Sequence, residues 1–173
     1  VSASLERPEV QRAFTGTDWL RLGDAYLAHG EAQQAEAAWR QGLQAGDSAV
    51  ALYDRLVSLY QQQGNYPATV AALRQTLALQ PNDPERAYQL GLYLSAIQPG
   101  EALVYLELAK QAAPLAEPAA RLQRSIRDAE LEEEPAYTYL QAGTQLARLG
   151  EWALAGEAFR QAVSLRPDYA EAW

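Results

Sequence analysis

The stretch Ala142–Trp173, AGTQLARLGEWALAGEAFRQAVSLRPDYAEAW, contains two helical patterns that meet at Gly150. Small or apolar residues recur at helical spacing in both halves, first at Ala142, Gly143 and Leu146 and then at Ala155, Phe159, Ala162 and Leu165. Pro167 is expected to stop the second helix. A helix pair this short cannot bury its apolar face alone, so it requires neighbouring copies.

Copies of this unit occur upstream at a fixed offset. Three matched pairs of residues are each 34 positions apart, namely Leu22 and Leu56, Tyr26 and Tyr60, and Gly30 and Gly64. This period predicts helix-pair units at residues 16–49, 50–83, 84–116 and 136–169, with 170–173 beginning a further unit.

The start of the chain is assigned from local signals. Thr17 or Asp18 is expected to cap the first helix of the first unit. Residues 1–15 are expected to form a separate segment or a short helix between Pro8 and Phe14.

The period fails between the third unit and the last, where 19 additional residues occupy roughly 117–135. Pro118 suits a first helical position, and one narrow apolar stripe follows it at Ala119, Leu122, Ile126 and Ala129. In one interpretation this helix caps a three-unit array, and the last unit begins a second array that packs against the first or is hinged at 132–135. In the other it is a degenerate fourth unit that has lost a helix, and the solenoid continues.

Composition excludes several classes of function. The chain has 22 acidic and 14 basic residues and a net charge of -8, which disfavours a nucleic-acid surface and an anionic membrane surface. Cysteine is absent and His29 is the single histidine, so thiol chemistry and a multi-histidine metal site are excluded. No apolar run approaches the roughly 20 residues that span a bilayer. No catalytic motif is present either, so we expect no catalytic residues, no cofactor and no metal.

A 34-residue helix pair with an aromatic residue, Leu-Gly, Tyr, Ala, a large residue, Ala and Pro resembles the tetratricopeptide repeat (TPR). The residues that carry the resemblance are Trp19, Leu22, Gly23, Tyr26, Gly30, Ala35 and Trp39; Tyr53, Leu56, Tyr60, Gly64, Leu73 and Pro81; Leu90, Gly91, Ala102, Leu106, Ala109 and Pro114; and Tyr139, Gly143, Leu146, Gly150, Ala155, Phe159, Ala162 and Pro167. The resemblance is to bacterial-type multi-repeat arrays, of which this chain is expected to be a piece. It implies an all-α fold, an α-solenoid whose helix pairs stack into a right-handed superhelix, with one extra helix.

The resemblance also implies a binding site. Proteins of this family dock extended peptides or partner helices in a concave groove lined by the first helix of each unit. By position, the groove residues are Leu20, Arg21, Asp24, Leu27 and Ala28; Asp54, Arg55, Ser58, Gln61 and Gln62; Tyr88, Gln89, Leu92 and Ser95; and Tyr137, Leu140, Gln141, Thr144 and Arg148. For any one of these residues, a solvated helix surface is the alternative interpretation.

Two specific binding modes are weighed against this sequence. The family members that grip chaperone C-terminal carboxylates use Lys, Asn and Arg, and the corresponding positions here are Leu20, Asp24, Arg55, Glu85 and Gln89, so that mode is not expected. Arg21 and Arg55 lie one period apart and could present two guanidinium groups to an acidic peptide. Asp24 and Asp54 are close to them in sequence, and mutual neutralisation is the favoured interpretation.

Two further features have simple structural explanations. His29 stands at a helix end, where interaction with the helix dipole explains it better than a role as a ligand or base. The run Glu132–Glu134 could bind a hard cation, but consecutive carboxylates usually form a solvated linker.

The function hypothesis is a protein–protein interaction scaffold without catalysis. The alternative is a regulatory or substrate-recruiting arm of a larger enzyme whose catalytic domain lies outside these residues. A helical-repeat RNA reader is disfavoured by the net charge of -8. The flank formed by Trp152, Phe159 and Val163 predicts self-association through the last unit. A cytoplasmic location is expected, although a targeting segment could belong to a longer parent chain.

Overall fold

The computed structural model describes residues 14–168, and every regular element among them is an α-helix. The helices are α1 (Gly16–Ala28), α2 (Ala32–Gln44), α3 (Ala49–Gln62), α4 (Tyr66–Leu79), α5 (Pro84–Ile97), α6 (Pro99–Ala109), α7 (Ala113–Glu130), α8 (Pro135–Arg148) and α9 (Trp152–Leu165). The prediction of an all-α fold is confirmed. Residues 1–13 and 169–173, with most of the short N-terminal helix and the start of a further unit, lie outside the described part.

The chain divides within α3 into two compact units, each larger than one helix pair. The first unit ends at Leu52 and the second begins at Tyr53.

In the first unit, side chains cap the start of α1 in two ways. Thr15 is the N-cap, and its hydroxyl and the Asp18 carboxylate form a reciprocal capping box with the backbone. The prediction of Thr17 or Asp18 as the cap was therefore wrong, because Asp18 acts from the third helical position. Asp47, beyond the end of α2, accepts a hydrogen bond from the Gly16 N–H at 2.6 Å. The hydrogen bonds that Asp47 accepts, from Gly16 most strongly and also from Thr17, lower its pKa.

The α1–α2 pair is built around Trp39, whose side chain is fully buried. The indole packs directly on Gly23, where a Cβ would stand 2.2 Å from the ring nitrogen. That nitrogen donates a hydrogen bond to the Leu20 carbonyl at 3.3 Å. Gly30 ends α1 with φ at +81°, a conformation that glycine adopts without strain. The turn between the helices therefore falls where the sequence predicts it.

In the second unit, α5 is the central helix. It packs against its pair partner α6 and also against α4, α7, α8 and α9. Half of its residues are consequently buried, namely Ala87, Leu90, Gly91, Leu92, Leu94, Ser95 and Ala96. Gly91 allows Leu106 of α6 to approach as Gly23 allows Trp39, since a Cβ there would stand 2.8 Å from Leu106 Cδ2. The same small-to-large contact thus recurs in the α1–α2 pair and the α5–α6 pair.

The extra helix α7 begins at Ala113, four residues before the start predicted at Glu117. Pro114 lies in its first turn, and Pro118 is inside the helix instead of at its first position. Its apolar stripe is buried as expected, and Gln123 on the same face donates to the Leu103 carbonyl at 3.0 Å. The helix packs against α6 on one side and α8 on the other.

The last pair, α8–α9, packs back onto α5. The Tyr139 hydroxyl donates to the Ile97 carbonyl at the end of α5, at 2.8 Å. The Tyr66 hydroxyl of α4 donates to the Ala153 carbonyl of α9 at 3.4 Å. Within the pair, Phe159 packs on Gly143. The extra helix therefore precedes a pair that covers part of α5.

Candidate binding groove

An open groove of about 460 Å³ runs between α3 and α5 of the second unit. It is lined by Asp54, Val57, Ser58, Gln61, Asp83, Glu85, Arg86, Tyr88 and Gln89. Five of these residues are ones that the family resemblance assigns to a groove, namely Asp54, Ser58, Gln61, Tyr88 and Gln89. The structure brings these five together because α3 and α5, the first helices of two successive helix pairs, both line the groove.

Arg86 connects the two helices across the groove. Its guanidinium makes two hydrogen bonds to the Asp54 carboxylate of α3, one of them at 3.1 Å. Its Nε lies 3.1 Å from an Asp83 carboxylate oxygen and donates to the Gln80 side-chain carbonyl at 3.0 Å. The hydrogen bond with Asp54 raises the pKa of Arg86 further above its ordinary value. A bidentate pair of this kind holds two helices at one spacing.

The groove prediction did not include Arg86, although a signal existed. Arg86 follows Asp54 by 32 residues, close to one repeat period, so a contact between neighbouring first helices could have been inferred. Asp54, one of the two carboxylates expected to neutralise Arg21 and Arg55, makes two hydrogen bonds to Arg86. Arg55 itself is exposed and makes polar interactions of its own.

Tyrosines define the end of the groove nearest the α8–α9 turn. Burial raises the pKa of Tyr88 and of Tyr93, and the negative charge of Glu151 in that turn adds to both shifts. Tyr93 also interacts with Gln61 and stacks at a tilt on Tyr66, with ring centroids 5.9 Å apart. Residues from α3, α4, α5 and the α8–α9 turn therefore meet here.

Within the groove lining, Ser58 is exposed and its hydroxyl donates to the Asp54 carbonyl at 3.0 Å. Other predicted groove residues of the second unit have different surroundings. Gln62 is exposed but does not line the groove. Leu92 and Leu140 are each only 6% exposed, and Ser95 is fully buried, because α8 and α9 cover α5. In this arrangement of helices those three side chains do not reach a ligand.

The predicted residues on α8 do not line the groove. Tyr137, Gln141 and Thr144 are partly exposed, and Arg148 is exposed. The Gln141 carbonyl accepts a hydrogen bond from the Ser125 hydroxyl of α7 at 3.4 Å, which fits the packing of α8 against α7.

The first unit contributes a separate predicted surface on α1. Leu20, Asp24 and Leu27 are partly exposed, whereas Arg21 and Ala28 are exposed. Asp24 makes polar interactions of its own. Binding at this surface stays a prediction.

Two carboxylates near the acidic turn form ion pairs. Glu134 is paired with Arg166, and Glu101 with Arg74. Between residues 14 and 168 no group of three or more His, Cys, Asp or Glu side chains is placed to hold a metal ion. None of the helices described for the chain combines the length and apolar character needed to cross a bilayer.

The chain resembles TPR proteins in the arrangement and packing of its helix pairs. No family model matches the sequence, and no curated protein matches it. One similar solved structure is MamA, which is 21% identical and covers 91% of this chain and 76% of that chain, with a TM-score of 0.49. MamA from Desulfovibrio magneticus RS-1 is 20% identical over 90% of this chain and 97% of that chain, with a TM-score of 0.49.

A third similar structure is YrrB, described as a TPR protein with an unusual peptide-binding site. It is 20% identical and covers 91% of this chain and 72% of that chain, with a TM-score of 0.46. These likenesses concern the helical fold alone, and no ligand is carried over from them.

Proposed function

We propose that this chain is a protein-interaction scaffold that holds an extended peptide or partner helix in the groove between α3 and α5, and that it performs no catalysis. The observation that carries the proposal is the convergence of five groove residues, predicted from the repeat register, on one open groove. A site of this kind recognises shape and hydrogen-bonding pattern.

The lining of the groove suits a peptide main chain. The amides of Gln61 and Gln89 and the hydroxyl of Ser58 offer both donors and acceptors. Tyr88 supplies a half-buried aromatic surface of the type that often dominates binding energy. The Asp54–Arg86 pair ties α3 to α5 before a ligand arrives, which lowers the entropic cost of binding.

The size of the groove limits the size of its ligand. A volume of about 460 Å³ accommodates a few residues, not a partner that buries about 800 Å² on each side. We therefore expect a short linear segment as the ligand. Tighter assembly would require contacts outside this groove.

A peptide-display selection on the whole chain tests the proposal. Selected peptides should bind wild type, and binding should fall at least about tenfold when Tyr88 and Gln89 are both changed to Ala, the loss expected for removing an aromatic anchor. The matched control is Tyr105→Ala, because Tyr105 is a partly exposed tyrosine on α6 that does not line the groove. Equal binding by wild type and the double variant would refute docking in this groove.

We also propose self-association through the last helix pair. Trp152 at the start of α9 is 73% exposed, and Phe159 and Val163 on the same helix are partly exposed. Exposed apolar side chains of this size tend to be covered by a partner. Light scattering should show a mass that rises with concentration and falls back in Trp152→Ser. A monomer mass at every concentration would sink this proposal.

A further inference from the structure

We propose that the groove between α3 and α5 selects a basic segment, with Lys or Arg side chains placed against its carboxylates. The proposal deepens the function proposed above and rests on it. It commits the groove to one class of occupant: an extended stretch of a partner protein with at least two positive charges.

The charges that line the groove are unbalanced. Asp54, Asp83 and Glu85 contribute three carboxylates, and Arg86 contributes one guanidinium, so the lining carries two net negative charges. The guanidinium of Arg86 is engaged by Asp54 across the groove and by Asp83 beside it in sequence. An acidic segment would therefore meet repulsion, whereas a basic one restores neutrality.

A further carboxylate acts on Tyr88 from outside the groove lining. Glu151, in the turn between α8 and α9, is close enough to Tyr88 and Tyr93 for its charge to act on both phenols. Tyr88 lines the groove and is only partly buried, so its ring forms part of the groove surface. An aromatic ring beside a carboxylate favours an ammonium or guanidinium group over a neutral side chain.

The packing of α8–α9 on α5 brings the turn between α8 and α9 near Tyr88. A regular continuation of the array would not require the turn of the last pair to stand beside Tyr88. Here the α8–α9 pair packs on α5, and Tyr66 of α4 donates to the Ala153 carbonyl two residues beyond Glu151. The specificity therefore depends on a tertiary contact that the repeat period does not predict.

The charge of the whole chain acts in the same direction. A net charge of -8 attracts basic segments at long range and speeds their association at low salt. Local selectivity must be separated from this general attraction, so the control must remove an equal charge elsewhere.

The test uses a random peptide library displayed on phage and selected on the whole chain at low salt. The selected pool should be enriched in Lys and Arg relative to the starting library. Peptides synthesised from it should bind the double variant Glu85→Gln/Glu151→Gln about tenfold more weakly than wild type, as expected for two lost surface charge pairs. The control variant is Asp128→Asn/Glu132→Gln, which removes the same charge from exposed positions in and after α7. Its binding should equal that of wild type.

Each other outcome overturns a defined part of the reasoning. A pool of neutral or acidic peptides that still depends on Tyr88 would leave the docking function in place and refute the basic selectivity. A basic pool whose binding falls equally in both double variants would reduce the effect to general charge attraction, which also refutes it. Failure to enrich any peptide would refute the docking function itself, and the basic selectivity with it.

Discussion

Replacing Gly143 by Ala tests the small-to-large contact on which the helix pairs depend. Gly143 lies within α8, and a Cβ at this position would stand 2.6 Å from Phe159 Cε1, 2.7 Å from Phe159 Cδ1 and 3.1 Å from the Ala158 Cβ. Carbon atoms at optimal separation are about 3.5–4.0 Å apart, so the α8–α9 pair must open or Phe159 must leave its position.

The magnitude follows from two opposing terms. Ala is more favourable than Gly inside a helix by about 1 kcal/mol. Overpacking a contact of this kind costs about 1–3 kcal/mol. The net effect of Gly143→Ala should therefore be a destabilisation between about zero and 2 kcal/mol.

Gly156 of α9 supplies the matched control. A Cβ at Gly156 would have no atom within 4 Å, so Gly156→Ala gains the helix-propensity term alone. The free energy of unfolding of the two variants should differ by about 1–3 kcal/mol, because the propensity term cancels. Urea denaturation followed by circular dichroism measures both values.

A double-mutant cycle identifies the atoms responsible. In a Phe159→Ala background the ring is absent, and Gly143→Ala should then stabilise the chain as Gly156→Ala does. If Gly143→Ala in the wild-type background already stabilises as much as Gly156→Ala, the contact between Gly143 and Phe159 does not exist as described, and the packing of this pair is refuted.

Three further predictions concern other parts of the chain. The pKa of Asp47 is lowered, so the stabilising contribution of its carboxylate is present above pH 3.8 and is lost as pH falls through the lower pKa of the folded state. In urea titrations across this range, the stability of Asp47→Asn should therefore depend less on acid pH than that of wild type. Pro118→Ala restores a helix N–H within α7 and should raise the free energy of unfolding by up to about 3 kcal/mol, measured in the same way. Burial raises the pKa of Tyr139, so the contribution of its neutral hydroxyl to stability is complete below pH 10.0 and is lost as pH rises through the higher pKa of the folded state. Tyr139→Phe should cost about 1 kcal/mol at neutral pH and show a smaller loss of stability in alkaline denaturation, whereas an unchanged alkaline profile would contradict this assignment.

The packing within each helix pair could be predicted from the sequence. Gly23 and Trp39, Gly91 and Leu106, and Gly143 and Phe159 recur at matched positions, and each pair is in contact in the structure. Partners on helices joined by a short turn can be identified from the repeat register alone.

The groove could be predicted only in part. Asp54, Ser58 and Tyr88 lie together in it because they belong to α3 and α5, the first helices of two successive helix pairs. Leu92 occupies an equivalent position in the register, yet it is buried because α8 and α9 pack on α5. Exposure of a helix face depends on every element packed on it, including elements distant in sequence.

By itself, the sequence determined the helical character of the chain, the turn at Gly150 and the presence of an extra helix. These features follow from local propensity, turn chemistry and the spacing of apolar residues. Only the tertiary structure decided that α8–α9 packs back onto α5 and that Glu151 lies near Tyr88. Those contacts depend on side-chain packing summed over several helices, which no short stretch of sequence encodes.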